Sequence, residues 1–261
     1  MKKIIVSGAC GRMGSEVVKT VFDKEDTIMV GAYDKNNSGK DIHKLLNVDG
    51  PEVIISSDLN KIIENTNPDI IIDFTSPDAV MDNIKLGLDY EIDMIVGTTG
   101  ITDIELKKIK AELNNKNMKI LIAPNFAIGA VLMMKFSEMA AKYMDDVEII
   151  ELHHNKKIDA PSGTSLKTAE LIKKELKDDS VEEIEKIKGV RGGISKNIHI
   201  HSVRLPGLVA HQEIIFGAKG QTLTIRHDSY DRSSFMPGIE MAIDNLNRLD
   251  GLTYGLENLF N

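Results

Sequence analysis

Six residues of apolar strand character run straight into a glycine turn and then a helix, and this junction constrains the fold more than any other feature of the chain. Lys2–Ser7 reads Lys-Lys-Ile-Ile-Val-Ser, a short buried strand. Gly8-Ala-Cys-Gly-Arg-Met-Gly14 follows, and Val17, Val18, Val21 and Phe22 then recur at helical spacing. Glycines let the backbone turn tightly and approach a pyrophosphate, which the helix N-terminus then faces. The spacing Gly8-x-x-Gly11-x-x-Gly14 departs from the usual dinucleotide fingerprint, so a tight turn without a ligand is the alternative. The next predicted strand, Thr27–Tyr33, ends at Asp34, 20 residues past Gly14. An acidic residue there accepts hydrogen bonds from an adenosine ribose; otherwise it caps a turn. Lys35 stands beside it and could pair with the extra phosphate of NADP. Asp34 argues for NADH and Lys35 permits NADPH, so both cofactors are expected.

The alternation continues. Residues 69–74, 93–96 and 119–122 read as strands, and a helix is expected from about 78 to 88. Apolar runs alternating with helical segments imply a parallel sheet with helices on both faces. The fold class is therefore α/β, a doubly wound parallel sheet of the Rossmann type. Ligands bind at the carboxyl ends of such strands. Gly97-Thr-Thr-Gly100 and Ala123-Pro-Asn-Phe126 lie there and are candidates for the nicotinamide end, with ordinary strand-to-helix turns as the alternative.

The second half has a different pattern. Residues 127–144 are helical and rich in Met and Ala, and Met133, Met134, Phe136, Met139 and Ala140 read as packing residues. Strands are expected over 147–152, 197–204, 212–217 and 221–226, with a helix over 163–176. A short turn, Gly217-Ala-Lys-Gly220, joins the last two strands, which points to a mixed or antiparallel sheet and an α+β domain. The expected division is a dinucleotide-binding domain of residues 1–126 completed by 234–261, and a substrate-binding and oligomerisation domain of 127–233. The final helix, about 237–249, returns to the first domain.

Residues 151–164 carry the chemistry: Glu-Leu-His-His-Asn-Lys-Lys-Ile-Asp-Ala-Pro-Ser-Gly-Thr. Imidazoles move protons near neutral pH, lysines supply fixed positive charge, and Pro-Ser-Gly-Thr has the look of a helix mouth where free N–H groups meet an anion. Together they suggest chemistry on a small carboxylate. Other readings stand beside this one. His153 and His154, adjacent at a strand end, point to opposite faces, so one of them could simply pack. A zinc site from His153, His154 and His211 lacks thiolates and any H-E-x-x-H spacing, and no metal is expected. Asp159 reads as a brace for the lysine-rich loop. Cys10 reads as a small residue tolerated in the phosphate loop rather than a nucleophile. Arg12 could touch pyrophosphate or stack on adenine. Arg232 and Phe235 precede the last helix and could reach a cofactor.

Composition excludes several partners. The formal net charge of −8 argues against nucleic acid. A single cysteine forbids an internal disulfide and fits a reducing cytoplasm. The apolar run at the N-terminus is too short for a signal peptide, and nothing approaches the ~20 apolar residues of a membrane helix. The charge run 173–188 mixes both signs and reads as a solvated helix and loop.

On Gly8-Ala-Cys-Gly-Arg-Met-Gly14, Val96-Gly-Thr-Thr-Gly100, Ala123-Pro-Asn-Phe126 and the 151–164 segment, the chain resembles the 4-hydroxy-tetrahydrodipicolinate (dihydrodipicolinate) reductases over nearly its whole length. Ser165 stands where that family usually has alanine and is expected to be harmless. Residues 202–212, Ser-Val-Arg-Leu-Pro-Gly-Leu-Val-Ala-His-Gln, look like one of two family variants, which leaves the role of His211 open. The resemblance implies an NAD(P)H-dependent reduction of a cyclic dicarboxylate in lysine and diaminopimelate synthesis. It implies His153 as proton donor or acceptor, Lys157 as a second donor, and His154, Gly163 and Thr164 as substrate contacts. It also implies that Gly8, Ala9, Cys10, Gly11, Arg12 and Met13 hold the dinucleotide phosphates, Asp34 the ribose and Lys35 the NADP phosphate. Gly97, Thr98 and Thr99, with Ala123, Pro124, Asn125 and Phe126, would line the nicotinamide end. The family forms homotetramers through its substrate-domain sheets, and that domain closes over the cofactor. Two rivals remain: another NAD(P)-dependent amino-acid dehydrogenase, such as one acting on aspartate, and a non-catalytic NADH-binding sensor.

Overall fold

The computed structural model describes residues 1–114, 116–176 and 184–260. Part of the 173–188 charge run, residues 177–183, therefore lies outside the described residues. The chain divides into two compact units, Met1–Phe126 with Phe235–Asn261, and Ala127–Ser234. Ser234 thus groups with the second unit rather than with the returning segment.

The first unit runs β1 (Lys2–Ser7), α1 (Gly14–Asp23), β2 (Thr27–Tyr33), α2 (Ile42–Leu46), β3 (Ile55–Ser56), α3 (Leu59–Thr66), β4 (Ile70–Asp73), α4 (Pro77–Tyr90), β5 (Asp93–Val96), α5 (Asp103–Glu112) and β6 (Ile120–Ile122). The second contains α6 (Ile128–Ala140), β7 (Asp146–His153), α7 (Gly163–Lys173), β8 (Gly193–Ser195), β9 (Ile198–Arg204), β10 (Ala210–Ala218) and β11 (Gln221–Ser229). α8 (Met236–Asn245) and β12 (Leu252–Tyr254) then complete the first.

The first sheet has the order β12-β6-β5-β4-β1-β2-β3, and every pair is parallel. Its central strands are continuous apolar runs because helices cover both faces: Ile4, Ile5, Val6, Ile71, Ile72, Met94, Ile95 and Val96 are all fully buried. The order reverses between β1 and β4, which opens a crevice at the carboxyl ends of those strands. Asp58 caps α3 by accepting from the Lys61 N–H, and Thr102 with Glu105 forms a capping box on α5.

The second sheet, β11-β10-β7-β9-β8, is mixed: β7 and β9 are parallel and the other pairs antiparallel. Alternation divides its faces. Ile149, Ile198, Ile200, Ile214 and Phe216 pack with Met133, Ala169 and Ile172 of α6 and α7. By the same register Ile150, Leu152, Val203 and Ile215 occupy the opposite face and are half-buried. Met133 is core as expected, whereas Phe136 and Met139 are about half exposed, at 49% and 55%. No helix among the described residues is long and apolar enough to cross a membrane.

Candidate active site

In the first unit, the loop between β1 and α1 needs its glycines. Gly8 has φ +77°, and a Cβ there would lie 2.3 Å from the Phe74 carbonyl oxygen. A Cβ on Gly14 would lie 1.9 Å from the Gly8 oxygen. The Gly11 N–H donates to that same oxygen at 2.9 Å. The unusual spacing therefore braces the loop against itself. α1 starts at Gly14 with Met13 as an N-cap that offers no side-chain bond, and in its first turn the Ser15 N–H donates to the Gly11 carbonyl at 2.9 Å.

Beside this loop lies a cleft lined by Gly8, Gly11, Tyr33, Asp34, Lys35, Asn36, Phe74, Thr75, Ser76 and Ala79. Asp34 is fixed in it. Its Oδ1 accepts from the Asn36 N–H at 3.0 Å and the Asn37 amide at 3.2 Å, and its Oδ2 from the Cys10 N–H at 3.3 Å. Burial, followed by the Asp34 charge, pushes the Cys10 thiol up to about 11, so it carries no thiolate at neutral pH.

The loops after β5 and β6 lie side by side, because Val96 and Ile122 are neighbours in the sheet. Their side chains divide into two sets. Thr98 is buried, and its hydroxyl donates to Asp73 Oδ1 at 2.6 Å while accepting from the Thr75 N–H at 2.8 Å. Asp73 also accepts from the Thr75 hydroxyl and from Asn83 Nδ2 at 2.8 and 2.7 Å, and burial raises its carboxyl above the ordinary value. A Cβ on Gly97 would strike the Phe74 ring, which lies 5.8 Å from that of Phe126. Ala9, Ala123 and Phe126 are buried, as is Thr98. Arg12, Thr99 and Pro124 are exposed, and Met13 and Asn125 are half-buried.

In the second unit, His153 is the last residue of β7, with Leu152 and Glu151 before it. Residues two apart on a strand share a face, so Glu151 reaches His153 Nδ1 and bonds it. Glu151 is fully buried, and Arg204 grips both its oxygens at 2.7 and 2.9 Å. Burial pushes the Glu151 carboxyl up, but Arg204, Ser202 and His153 outweigh it and hold it below the ordinary value. Burial pushes His153 down; Glu151 opposes this, while the Lys157 and Arg204 charges reinforce it.

His154 is not on the strand. It opens a turn closed by the Lys157 N–H donating to the His154 carbonyl at 3.1 Å. The opposite-face rule therefore does not apply to the histidine pair, and His154 is exposed. Lys157 Nζ pairs with both oxygens of Asp159 at 2.8 and 2.7 Å. Ser162 caps α7 by accepting from the Ser165 N–H at 3.2 Å, which leaves Gly163 and Thr164 as the first helical residues. Behind that helix mouth runs a buried chain. Ser165 donates to Gln212 Oε1, and Gln212 Nε2 donates to Thr168, each at 2.8 Å. Thr168 in turn donates to the Thr164 carbonyl at 2.8 Å.

His211 belongs elsewhere. It is paired in register with Leu152, on the sheet face opposite His153. Its Nδ1 bonds Asp228 at 2.7 Å and its Nε2 accepts from the Val209 N–H at 3.2 Å, so it pins strands together. Arg232 and Phe235 bound a single 3-10 turn, where Arg232 is exposed and Phe235 half-buried. The sequence reading assigns no role to Glu151 or Arg204. The Glu-x-His alternation on a predicted strand carries the signal for the first; nothing local carries it for the second.

A family model described as "Dihydrodipicolinate reductase, N-terminus" matches residues 2–126, and one described as "Dihydrodipicolinate reductase, C-terminus" matches 129–260. The chain is 48% identical to the 4-hydroxy-tetrahydrodipicolinate reductase of Listeria innocua over 260 residues, 98% of this chain and 99% of the relative. It is 47% identical to the enzyme of that name from Syntrophomonas wolfei, over 98% of both chains. A solved structure of dipicolinate-bound dihydrodipicolinate reductase from Paenisporosarcina sp. TG-14 matches with a TM-score of 0.88 and 42% identity, over 99% of both chains. The chain belongs to the dihydrodipicolinate reductase family.

Proposed function

We propose that this chain catalyses the NAD(P)H-dependent reduction of 4-hydroxy-tetrahydrodipicolinate to tetrahydrodipicolinate with loss of water, in lysine and diaminopimelate biosynthesis. One observation carries the reading most directly. A Glu151-bonded histidine, the Lys157 loop and the Ser162-capped helix mouth follow one another in twelve residues of a chain whose full length matches the family.

The first unit fits a nicotinamide dinucleotide. Gly8 and Gly14 leave no room for a Cβ, α1 has no side-chain cap, and Asp34 is fixed in the adjoining cleft. The loop Gly8–Met13 would hold the phosphates, Asp34 a ribose and Lys35 a 2′-phosphate, so both NADH and NADPH are accepted. Residues 97–99 and 123–126 would bound the nicotinamide. Bound there, the reduced cofactor supplies a hydride.

The second unit's residues supply the rest. With Nδ1 turned to Glu151, His153 keeps Nε2 for proton transfer to the carbon next to the site of reduction. Lys157 places positive charge where negative charge develops and serves as a second donor. Gly163 and Thr164 at the mouth of α7 bind a substrate carboxylate, and His154 contacts the ring substituents. The enzyme is a cytoplasmic homotetramer, and the outer face of the second sheet, where Ile150, Leu152, Val203 and Ile215 lie half-buried among Glu148, His201 and Glu213, is the surface through which its subunits would pair.

The test follows reduced-nicotinamide absorbance while dihydrodipicolinate synthase, pyruvate and aspartate semialdehyde generate the substrate. Oxidation of NADH and NADPH that requires the complete generating mixture is expected. No oxidation by protein that still binds NADH would overturn the reading in favour of a sensor or another dehydrogenase.

A further inference from the structure

We propose that Arg204 is a positioning residue that holds both proton donors of the reductase site in register, His153 through the Glu151 carboxylate and Lys157 through the backbone of Asp159. The inference rests on the reductase reading and deepens it.

Arg204 stands directly beside His153 in the β7–β9 pairing. Its two terminal nitrogens do four things. Nη2 donates to Glu151 Oε1 at 2.7 Å and to the Asp159 carbonyl at 2.9 Å. Nη1 donates to Glu151 Oε2 at 2.9 Å and to the Val203 carbonyl at 2.8 Å, which fixes the guanidinium on its own strand. Both arms therefore end on the carboxylate bonded to His153. One of them, Nη2, also reaches the residue whose carboxylate pairs with Lys157. Only a planar fork reaches both; a lysine offers one point of charge.

The charged groups facing His153 are Glu151 on its own strand, Arg204 on β9 and Lys157 on the following loop. β10 contributes only Ala210 at that register. Glu151 favours the protonated imidazole, whereas Arg204 shares the Glu151 charge and opposes protonation. Removing one or the other therefore acts in opposite directions. A proton-donating His153 loses activity as pH rises through its pKa. Without Glu151 that alkaline limb moves to lower pH. With Arg204 weakened, Glu151 serves His153 alone and the limb moves to higher pH.

The test compares Glu151→Gln and Arg204→Lys by the pH profile of kcat in the coupled assay, and by NMR titration of the His153 ring in the full chain without substrate. Glu151→Gln should lower kcat near neutrality about tenfold or more and shift the limb down by about one pH unit. Arg204→Lys should shift it upward and raise KM for the dicarboxylate, because the Asp159 anchor is lost, while NADH affinity stays within about twofold. Should Glu151→Gln fail to fold, Glu151→Asp, one methylene shorter, gives a smaller downward shift. Unmoved limbs and an unmoved His153 titration in variants that only melt earlier would overturn the proposal and leave a structural ion pair. If the unaltered chain oxidises no cofactor, the reductase reading fails on its own. The opposed His153 titration shifts then still decide whether the clamp exists.

Discussion

The Thr98 hydroxyl donates to the Asp73 carboxylate at 2.6 Å, which ties the loop after β5 to the end of β4. The same hydroxyl accepts from the Thr75 N–H, so one side chain joins the loop after β5 to the loop after β4, whose Thr75 lines the cleft beside Asp34. Thr98→Val keeps the shape and removes the bond. It leaves a buried carboxylate one donor short, while the Thr75 N–H keeps only its longer bond to Asp73 Oδ1 at 3.1 Å, at a cost of about 1–3 kcal/mol. Urea unfolding should register this loss, and fluorescence titration should show weaker NADH binding. Unchanged stability would mean that Thr75 and Asn83 satisfy Asp73 alone.

Asp34 and Lys35 line one cleft with opposite charges. Lys35→Ala should weaken NADPH binding about tenfold and leave NADH nearly unaffected, since only the 2′-phosphate calls on that charge. Asp34→Ala should weaken NADH more than NADPH and also loosen the 34–37 loop, whose Asn36 and Asn37 bond its carboxylate. Equal effects of either substitution on both cofactors would place the ribose elsewhere.

Ser165, expected from sequence to be a harmless replacement, links the α7 cap to β10 through Gln212. Ser165→Ala leaves the Gln212 oxygen without this donor inside the unit, at about 1–2 kcal/mol. Gln212→Leu removes two bonds at once, leaving Ser165 only its Ser162 partner and Thr168 only the Thr164 carbonyl, and should cost more. Thermal melts rank the two, and the reverse order would show that the chain of bonds is not continuous.

Acid should weaken the protein in two stages. His153 titrates below its ordinary value of about 6.5, so the unfolded chain binds its proton first and stability falls as pH drops below that value. Glu151 also titrates below its ordinary value, about 4.3 for Glu. Its contribution is present above that pH and is lost as pH falls through the lowered folded value. Urea midpoints at pH 8, 6 and 4 should decline in that order, and His153→Gln should flatten the first step only. A midpoint constant from pH 8 to 6 would contradict the direction for His153.

The parallel sheet was legible because its strands, buried on both faces, are unbroken apolar runs ending in Gly8, Gly97 and Ala123. The strands that escaped notice are β3, β8 and β12, two or three residues each, too short to show a period. β10 and β11 extend beyond their expected ends because His211 and Asp228, facing each other across the pair, prolong the ladder. In the site, the residues that present backbone or charge could be named from local motifs. Those that position them could not. Thr98 finds Asp73 25 residues away, and Glu151 finds Arg204 53 residues away, pairings that only the sheet register creates.

The most direct measurement is the kinetics of His153→Gln beside the unaltered chain in the coupled assay, with NADH affinity determined separately. Loss of a positioned general acid should lower kcat about 10²- to 10⁴-fold, with NADH affinity unchanged. A variant that retains full turnover would contradict the assignment of the proton to His153.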